Sequence, residues 1–293
     1  MTKKNSFPVL VTVIALCCLS VWLAVALTPN QRLRLDFSSV ETVRETVDLY
    51  RDAGFDPIRD IRKPNPKLPP IFLTGLPVDM ASIPNPDTRK AIFVSIVLPH
   101  ILYANERLRA DRRRLQRLNN YISLGRTLRR KDSRWLKSMA NIYRTSHMDT
   151  GRLLRQVDIV PPRLAIAQAA QESGWGTSRF ARGGNALFGQ HAPIGEGTIQ
   201  AGKNANVALK AFDTLQASVS EYMRNLNRHR AYREFRATRA DMRSSKRPID
   251  AVALAKTLIR YSEEGRIYVK HLRSLMNTPE IASTMNAAFA KPP

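Results

Sequence analysis

The sequence predicts a mainly α (α+β) protein: a helical domain with a small β-hairpin lobe, preceded by N-terminal basic helices. Three observations predict it. Residues 163–172, 215–226 and 267–276 read as helices, the last two with apolar residues at helical spacing. Residues 183–212 are rich in Gly and Asn and hold short alternating pieces such as VALKAF, the pattern of a small hairpin. Lys and Arg crowd residues 87–145, where the pattern is again helical.

The chain has 293 residues, a hydrophobic fraction of 43% and a formal charge of +23. A core is therefore within reach, and an anionic partner is favoured. The two cysteines are adjacent, Cys17 and Cys18. The body of the protein thus has no disulfide framework, cysteine nucleophile or cysteine zinc site. Five histidines lack ligand spacing, so no metal and no cofactor is expected.

Residues 1–28 read as an export segment. Lys3 and Lys4 precede an uncharged run, residues 9–27. Ala24-Val25-Ala26 fits a cleaved secretory signal. The run is also long enough for an uncleaved anchor to the inner membrane over residues 8–27. Either way the remainder should lie outside the cytoplasm, in the periplasm or cell envelope, which argues against nucleic acid as the partner.

Residues 29–86 predict a short helix and a Pro-rich strap. Ser38 or Ser39 should cap the helix, Val40, Val43, Val47 and Tyr50 should form its apolar stripe, and Gly54 should close it. Eight of the 18 prolines follow in residues 55–86, where no regular helix can run. Residues 87–145 form the basic helical region, with an interruption or kink expected at Pro99. Its charge suits a solvated helical face or adhesion to an anionic surface.

Residues 146–293 carry the chemistry. Pro161 and Pro162 stand where a helix can start, because proline loses nothing in the first turn. That helix runs to Glu172, followed at once by Ser-Gly-Trp-Gly. A carboxylate at a helix C-terminus meets the negative end of the dipole, and Trp175 offers an apolar wall. Both effects raise its pKa and suit it to giving a proton. Asp213-Thr-Leu-Gln216 reads as a capping box for the next helix.

Gln168-Ala-Ala-Gln-Glu172-Ser-Gly-Trp-Gly176, with Gly184-Asn185-Ala-Leu-Phe188-Gly189, resembles the signature of the N-acetylglucosaminidases of glycoside hydrolase family 73. Those enzymes belong to the lysozyme-like superfamily. The whole chain is similar to Bax-type bacterial members, and LPHILYANERL resembles a helix upstream of their domain. The resemblance implies a lysozyme-like catalytic domain that cuts peptidoglycan glycan strands between N-acetylglucosamine and N-acetylmuramic acid.

By the same resemblance Glu172 is the general acid. Family members tend to carry a second carboxylate on the β lobe, where Glu196 lies. Asp213 is its rival, and the substrate's own acetamido group would make a second acid dispensable. Tyr261 matches the tyrosine of the family's Tyr-Ala-Thr-Asp block, although here Ser, Glu263 and Glu264 follow it. Trp175, Asn185, Phe188 and Tyr222 are candidate substrate-binding residues, with a core role the alternative for Phe188 and Tyr222. The basic helices would draw the enzyme to the anionic wall surface. The competing functions are a muramidase or lytic transglycosylase on the neighbouring bond, and a non-catalytic wall-binding protein.

Overall fold

The computed structural model describes residues 36–195, 197–200 and 208–290. The segment expected to direct export or anchoring, residues 1–28, lies outside them. Residues 36–290 fall within one compact unit, built from eleven α-helices and short strands.

The first helix, α1 (Val43–Asp52), is capped by Thr42 and not by Ser38 or Ser39. Thr42 accepts from the Glu45 amide while Glu45 reaches back to the Thr42 amide, so two orphan donors are satisfied together. Ser38 instead belongs to β1 (Phe37–Ser38). The proline-rich segment is held down by backbone pairing. Its β2 (Lys67–Leu68) runs parallel to β7 (Ala288–Phe289) near the C-terminus, and its β3 (Phe72–Leu73) runs parallel to β1. Ile61, Leu68, Phe72, Leu73 and Met80 are fully buried.

They pack against α2 (Pro86–Ser123), a helix of 38 residues. Asn85 caps it, accepting from the amides of Asp87 and Thr88. The expected interruption at Pro99 does not occur. Residues 91–102 are all buried, so neighbours enclose the helix on every side. A missing hydrogen bond and a ring clash cost roughly 3 kcal/mol, and the burial of Ile92, Phe93, Val97, Leu98 and Ile101 offsets it. The basic C-terminal half of α2 leaves the main core. It joins α3 (Arg130–Tyr143) and α4 (Thr150–Gln156) around a smaller cluster of Leu115, Leu136, Met139, Tyr143, Leu153 and Val157.

The helix predicted from residue 163 is α5 (Pro162–Ser173), with Pro162 at its first position. Of the nine residues from Pro162 to Ala170 all but Arg163 are buried, and these eight are apolar or small except Gln168. The helix packs against α2, and further along the chain against the helices Ala251–Lys256 and Arg266–Leu275. A short α6 (Arg179–Gly184) leads into the β lobe.

The lobe has three strands where a hairpin was expected. The order is β4 (His191–Ala192), β6 (Ala208–Lys210), β5 (Thr198–Gln200), all antiparallel. Then comes α7 (Leu215–Arg228), whose cap is Thr214, not Asp213; the Thr214 hydroxyl accepts from the Ala217 amide. Asp213 is exposed, one residue too early for that role. The remaining helices are α8 (Arg233–Ser244), α9 (Ala251–Lys256), α10 (Arg266–Leu275) and α11 (Pro279–Ala282).

One buried ion cluster joins the long helix to the later ones. Asp158, 2% exposed, takes Arg243 of α8 through two contacts of 3.0 and 2.8 Å. Arg112 of α2 stands at 3.4 Å and the fully buried Arg239 at 4.0 Å. Burial works to raise the Asp158 pKa, but the Arg243 hydrogen bonds and the other guanidinium charges hold it below the ordinary value.

Candidate active site

Helix α5 ends in a run of left-handed residues. Gly174, Trp175 and Gly176 have φ of 59°, 58° and 79°. Ser173 stabilises the exit: its hydroxyl donates to the Ala169 carbonyl at 2.6 Å and accepts from the Gly176 amide at 3.0 Å. Gly176 must be glycine twice over. Its φ excludes most side chains, and a Cβ would stand 2.9 Å from Phe93 Cδ2. Trp175 holds its unusual backbone by donating its amide to Ala170 O at 2.9 Å. Its ring meets the edge of Phe93 at 5.9 Å, with Lys90 Nζ over it. The half-buried ring therefore lies against α2.

Glu172 sits in the last turn of α5 and is half-buried. Burial is the main cause that raises its pKa; a hydrogen bond from Tyr268 opposes the rise, and the charge of Glu264 adds to it. Gly189, at φ 59°, brings its backbone close: a Cβ there would be 3.2 Å from Glu172 Oε2.

A chain of polar groups runs behind the acid. Gln168 lies one helical turn before Glu172 on the same face. Its amide oxygen accepts from the Tyr222 hydroxyl at 2.8 Å. Its amide nitrogen donates to the Tyr268 hydroxyl at 2.9 Å. Tyr268 has one proton, and with its oxygen accepting from Gln168, that proton is free for Glu172. All members are inside the protein, so each polar atom needs the next.

Tyr261 joins the same group. Its ring stacks on Tyr268 at 5.5 Å and 7°, and lies 5.9 Å from Tyr232. Its hydroxyl donates to Phe188 O at 3.2 Å. Phe188 stacks face to face on Tyr222 at 3.8 Å. Phe188 and Tyr222 are both buried, so they build the wall behind the acid and offer no free ring face. Asn185 ends α6 at φ 52°, where asparagine is tolerated, and its Nδ2 donates to Phe212 O at 3.0 Å. Its Oδ1 is buried with no partner among the described residues. Glu196 lies outside the described residues.

The structure therefore brings Glu172 and Tyr261 together, with Phe188 and Tyr222 behind them. Trp175 and Asn185 stand on the flanking turns. Sequence reasoning missed Gln168, Tyr268, Tyr232 and Glu264 as parts of this site. Gln168 did carry a signal: it is an amide four residues before the acid, on the face of an otherwise alanine-rich helix that Glu172 shares. Among the described residues, no three His, Cys, Asp or Glu side chains gather as a metal site requires.

A half-buried carboxyl with a raised pKa at a helix end, backed by tyrosines, has the chemistry of a group that can give a proton. Residues 150–280 match the glucosaminidase family, described as mannosyl-glycoprotein endo-β-N-acetylglucosaminidase. Over 196 residues the chain is 34% identical to Protein bax of Escherichia coli (strain K12), covering 66% of this chain and 71% of that protein. This stretch is longer than the family match. The catalytic domain of the autolysin Auto from Listeria monocytogenes is a slight structural likeness, with 14% identity and a TM-score of 0.33 over 58% of this chain and 96% of that domain. The chain is a glycoside hydrolase of the glucosaminidase class, and it belongs to the Bax-type family of those enzymes.

Proposed function

We propose that the protein hydrolyses peptidoglycan at the β-1,4 bond between N-acetylglucosamine and N-acetylmuramic acid, with Glu172 as the general acid. Family membership supports peptidoglycan hydrolysis in general terms. The observation that carries the finer reading is the raised pKa of a half-buried Glu172 at the end of α5. A carboxyl held neutral near working pH protonates the glycosidic oxygen as the bond breaks, a contribution of about 10²–10⁴ in rate.

The anomeric carbon then develops positive charge. Glu196, which falls between β4 and β5 in the sequence, is the carboxylate we assign to activating water there, with assistance by the acetamido group the other route. Tyr261 would orient that water or the acetamido group. Trp175 and Asn185 are assigned to the sugar groove. Phe188 and Tyr222 support it from behind, which their burial favours over direct contact.

The location follows from the substrate. A cell-wall hydrolase works in the envelope or outside the cell, and residues 1–28 would take it there as a signal or anchor. Among the described residues no helix is long and apolar enough to cross a membrane. The basic face of α2 and α3 would hold the enzyme to the anionic wall, in a salt-dependent way.

Product analysis tests the bond assignment. Purified sacculi are digested, and the new reducing ends are labelled with borohydride and identified. Reduced N-acetylglucosamine is expected. Reduced N-acetylmuramic acid would mean a muramidase, a 1,6-anhydro product a transglycosylase, and no product a wall-binding protein.

A further inference from the structure

Away from Glu172, α4 and α8 enclose a cavity of about 390 Å³. Its lining is Asp149, Arg152, Arg155, Gln156, Arg233, Arg236 and Ala237. Four guanidinium groups thus face one carboxylate. Arg152, Arg155 and Arg233 are exposed and have no acidic partner among the described residues. Arg236 is half-buried, and its Nη1 is fixed by the carbonyls of Leu226 and His229, both at 2.9 Å. Burial first, and then the charges of Arg152 and Arg233, bring its pKa down to about 10. Like charges held this close repel each other, so the arrangement favours an anion between them.

A second, independent observation narrows the anion. Gln156, 3% exposed, spends its Nε2 on Tyr143 O at 3.0 Å. Its Oε1 is buried without any donor among the described residues. An acceptor left open beside a ring of arginines suits a ligand with both carboxylates and an N–H. A phosphodiester has no donor, whereas an acidic peptide has both.

One flank of the cavity is joined to the site of Glu172 through the backbone. Helix α8 starts at Arg233, directly after Tyr232. The Tyr232 ring lies 5.9 Å from Tyr261, and its phenol senses the charge of Glu172.

We propose that the α4–α8 pocket binds the carboxylate-bearing stem peptide of peptidoglycan, using Arg152, Arg155, Arg233 and Arg236 for the carboxylates and Gln156 Oε1 for a peptide N–H. The proposal rests on the peptidoglycan reading above for the identity of the peptide. It makes the pocket a specificity element: glycan carrying peptides should be preferred to denuded glycan.

The test is calorimetric binding of the synthetic tetrapeptide Ala-γ-Glu-diaminopimelyl-Ala to the full chain at low salt. The wild type should bind it. The triple variant Arg152→Gln/Arg155→Gln/Arg233→Gln should weaken binding at least tenfold, and Gln156→Leu several-fold, with the thermal midpoint of each variant as the folding check. Single Arg155→Gln stands in if the triple variant does not fold, with at least a two-fold loss expected. Unchanged affinity in the folded variants overturns the proposal. Equal competition by inorganic phosphate at the peptide's own concentration overturns it too, since the pocket would then be a phosphate site. Because the probe carries no sugar, the two readings fail separately. A wild type that binds the peptide but digests no sacculi loses the hydrolase reading alone; one that digests sacculi but ignores the peptide loses this inference alone.

Discussion

The Tyr268 hydroxyl accepts from Gln168 Nε2 at 2.9 Å, which leaves its own proton for the carboxyl of Glu172, whose pKa it works to lower. Tyr268 comes from α10 and Glu172 from α5, so the crossing of two helices sets the acidity of the site. The hydrogen bond favours the charged carboxylate, and burial together with Glu264 favours the neutral acid.

Two variants should move the pH profile in opposite directions. A general acid works while protonated, so its activity falls as pH rises through its pKa. Tyr268→Phe removes the bond that lowers the Glu172 pKa, so the alkaline limb of kcat/KM should shift upward. It also strips Gln168 Nε2 of its acceptor, at a stability cost of about 1–3 kcal/mol. Glu264→Gln removes a repelling charge, so the limb should shift downward. Glu264 is exposed and solvent-screened, so its shift should be the smaller and should shrink in high salt. Shifts of the same sign would remove Glu172 as the titrating group.

Gly189→Ala should damage catalysis more than stability. A methyl would stand 3.2 Å from Glu172 Oε2, at a backbone φ of 59°. The strain is of order 1 kcal/mol, and the movable carboxyl tip is the atom that gives way. We expect kcat to drop at least tenfold with a modest fall in melting temperature. Wild-type kcat would show that the acid does not need this backbone against it.

Asp158→Asn should destabilise without touching chemistry. It leaves Arg239, fully buried, and Arg112 and Arg243 without their shared anion. Breaking such a cluster costs about 3–5 kcal/mol, or roughly 10 °C for a chain of this size. The native Asp158 pKa is depressed, so its contribution is present above about pH 4 and lost as pH falls below that value. Thermal melts of the variant should therefore differ most from wild type near neutrality and converge at strong acid.

His100 should make the protein acid-sensitive at milder pH. It is fully buried on α2, and its Nδ1 lies 3.2 Å from Gln216 Oε1 while its Nε2 is unpaired. Burial lowers its pKa to about 4, with the Gln216 bond opposing. The unfolded chain takes up a proton near pH 6.5 that the folded chain refuses until about pH 4. Stability therefore falls as pH drops between those values, by roughly 2 kcal/mol at pH 5. His100→Gln should flatten the melting temperature between pH 7 and pH 5. An unchanged slope would place the sensitivity elsewhere.

Local signals in the sequence were dependable where the chain decides for itself. The start of α5 at Pro161-Pro162 and its exit at Gly174 follow from proline and glycine chemistry, and both are found. Features set by distant partners were not legible. Pro99 marks a helix break by local rules, yet α2 runs on because residues 91–102 are enclosed on all sides. Tyr268 reads as one more apolar position on α10, since only the crossing with α5 shows that its hydroxyl meets Gln168. Glu264 reads as a mismatch in a family block, and its action on Glu172 appears only in three dimensions. The arginine pocket is likewise split between α4 and α8.

The most direct measurement is release of soluble sugar from purified peptidoglycan by Glu172→Gln, set beside the wild type at equal folded concentration. The substitution keeps size and removes the transferable proton, so we predict a loss of at least 10² in rate with the melting temperature kept or raised. Digestion continuing at the wild-type rate would contradict the assignment of Glu172 and the mechanism built on it.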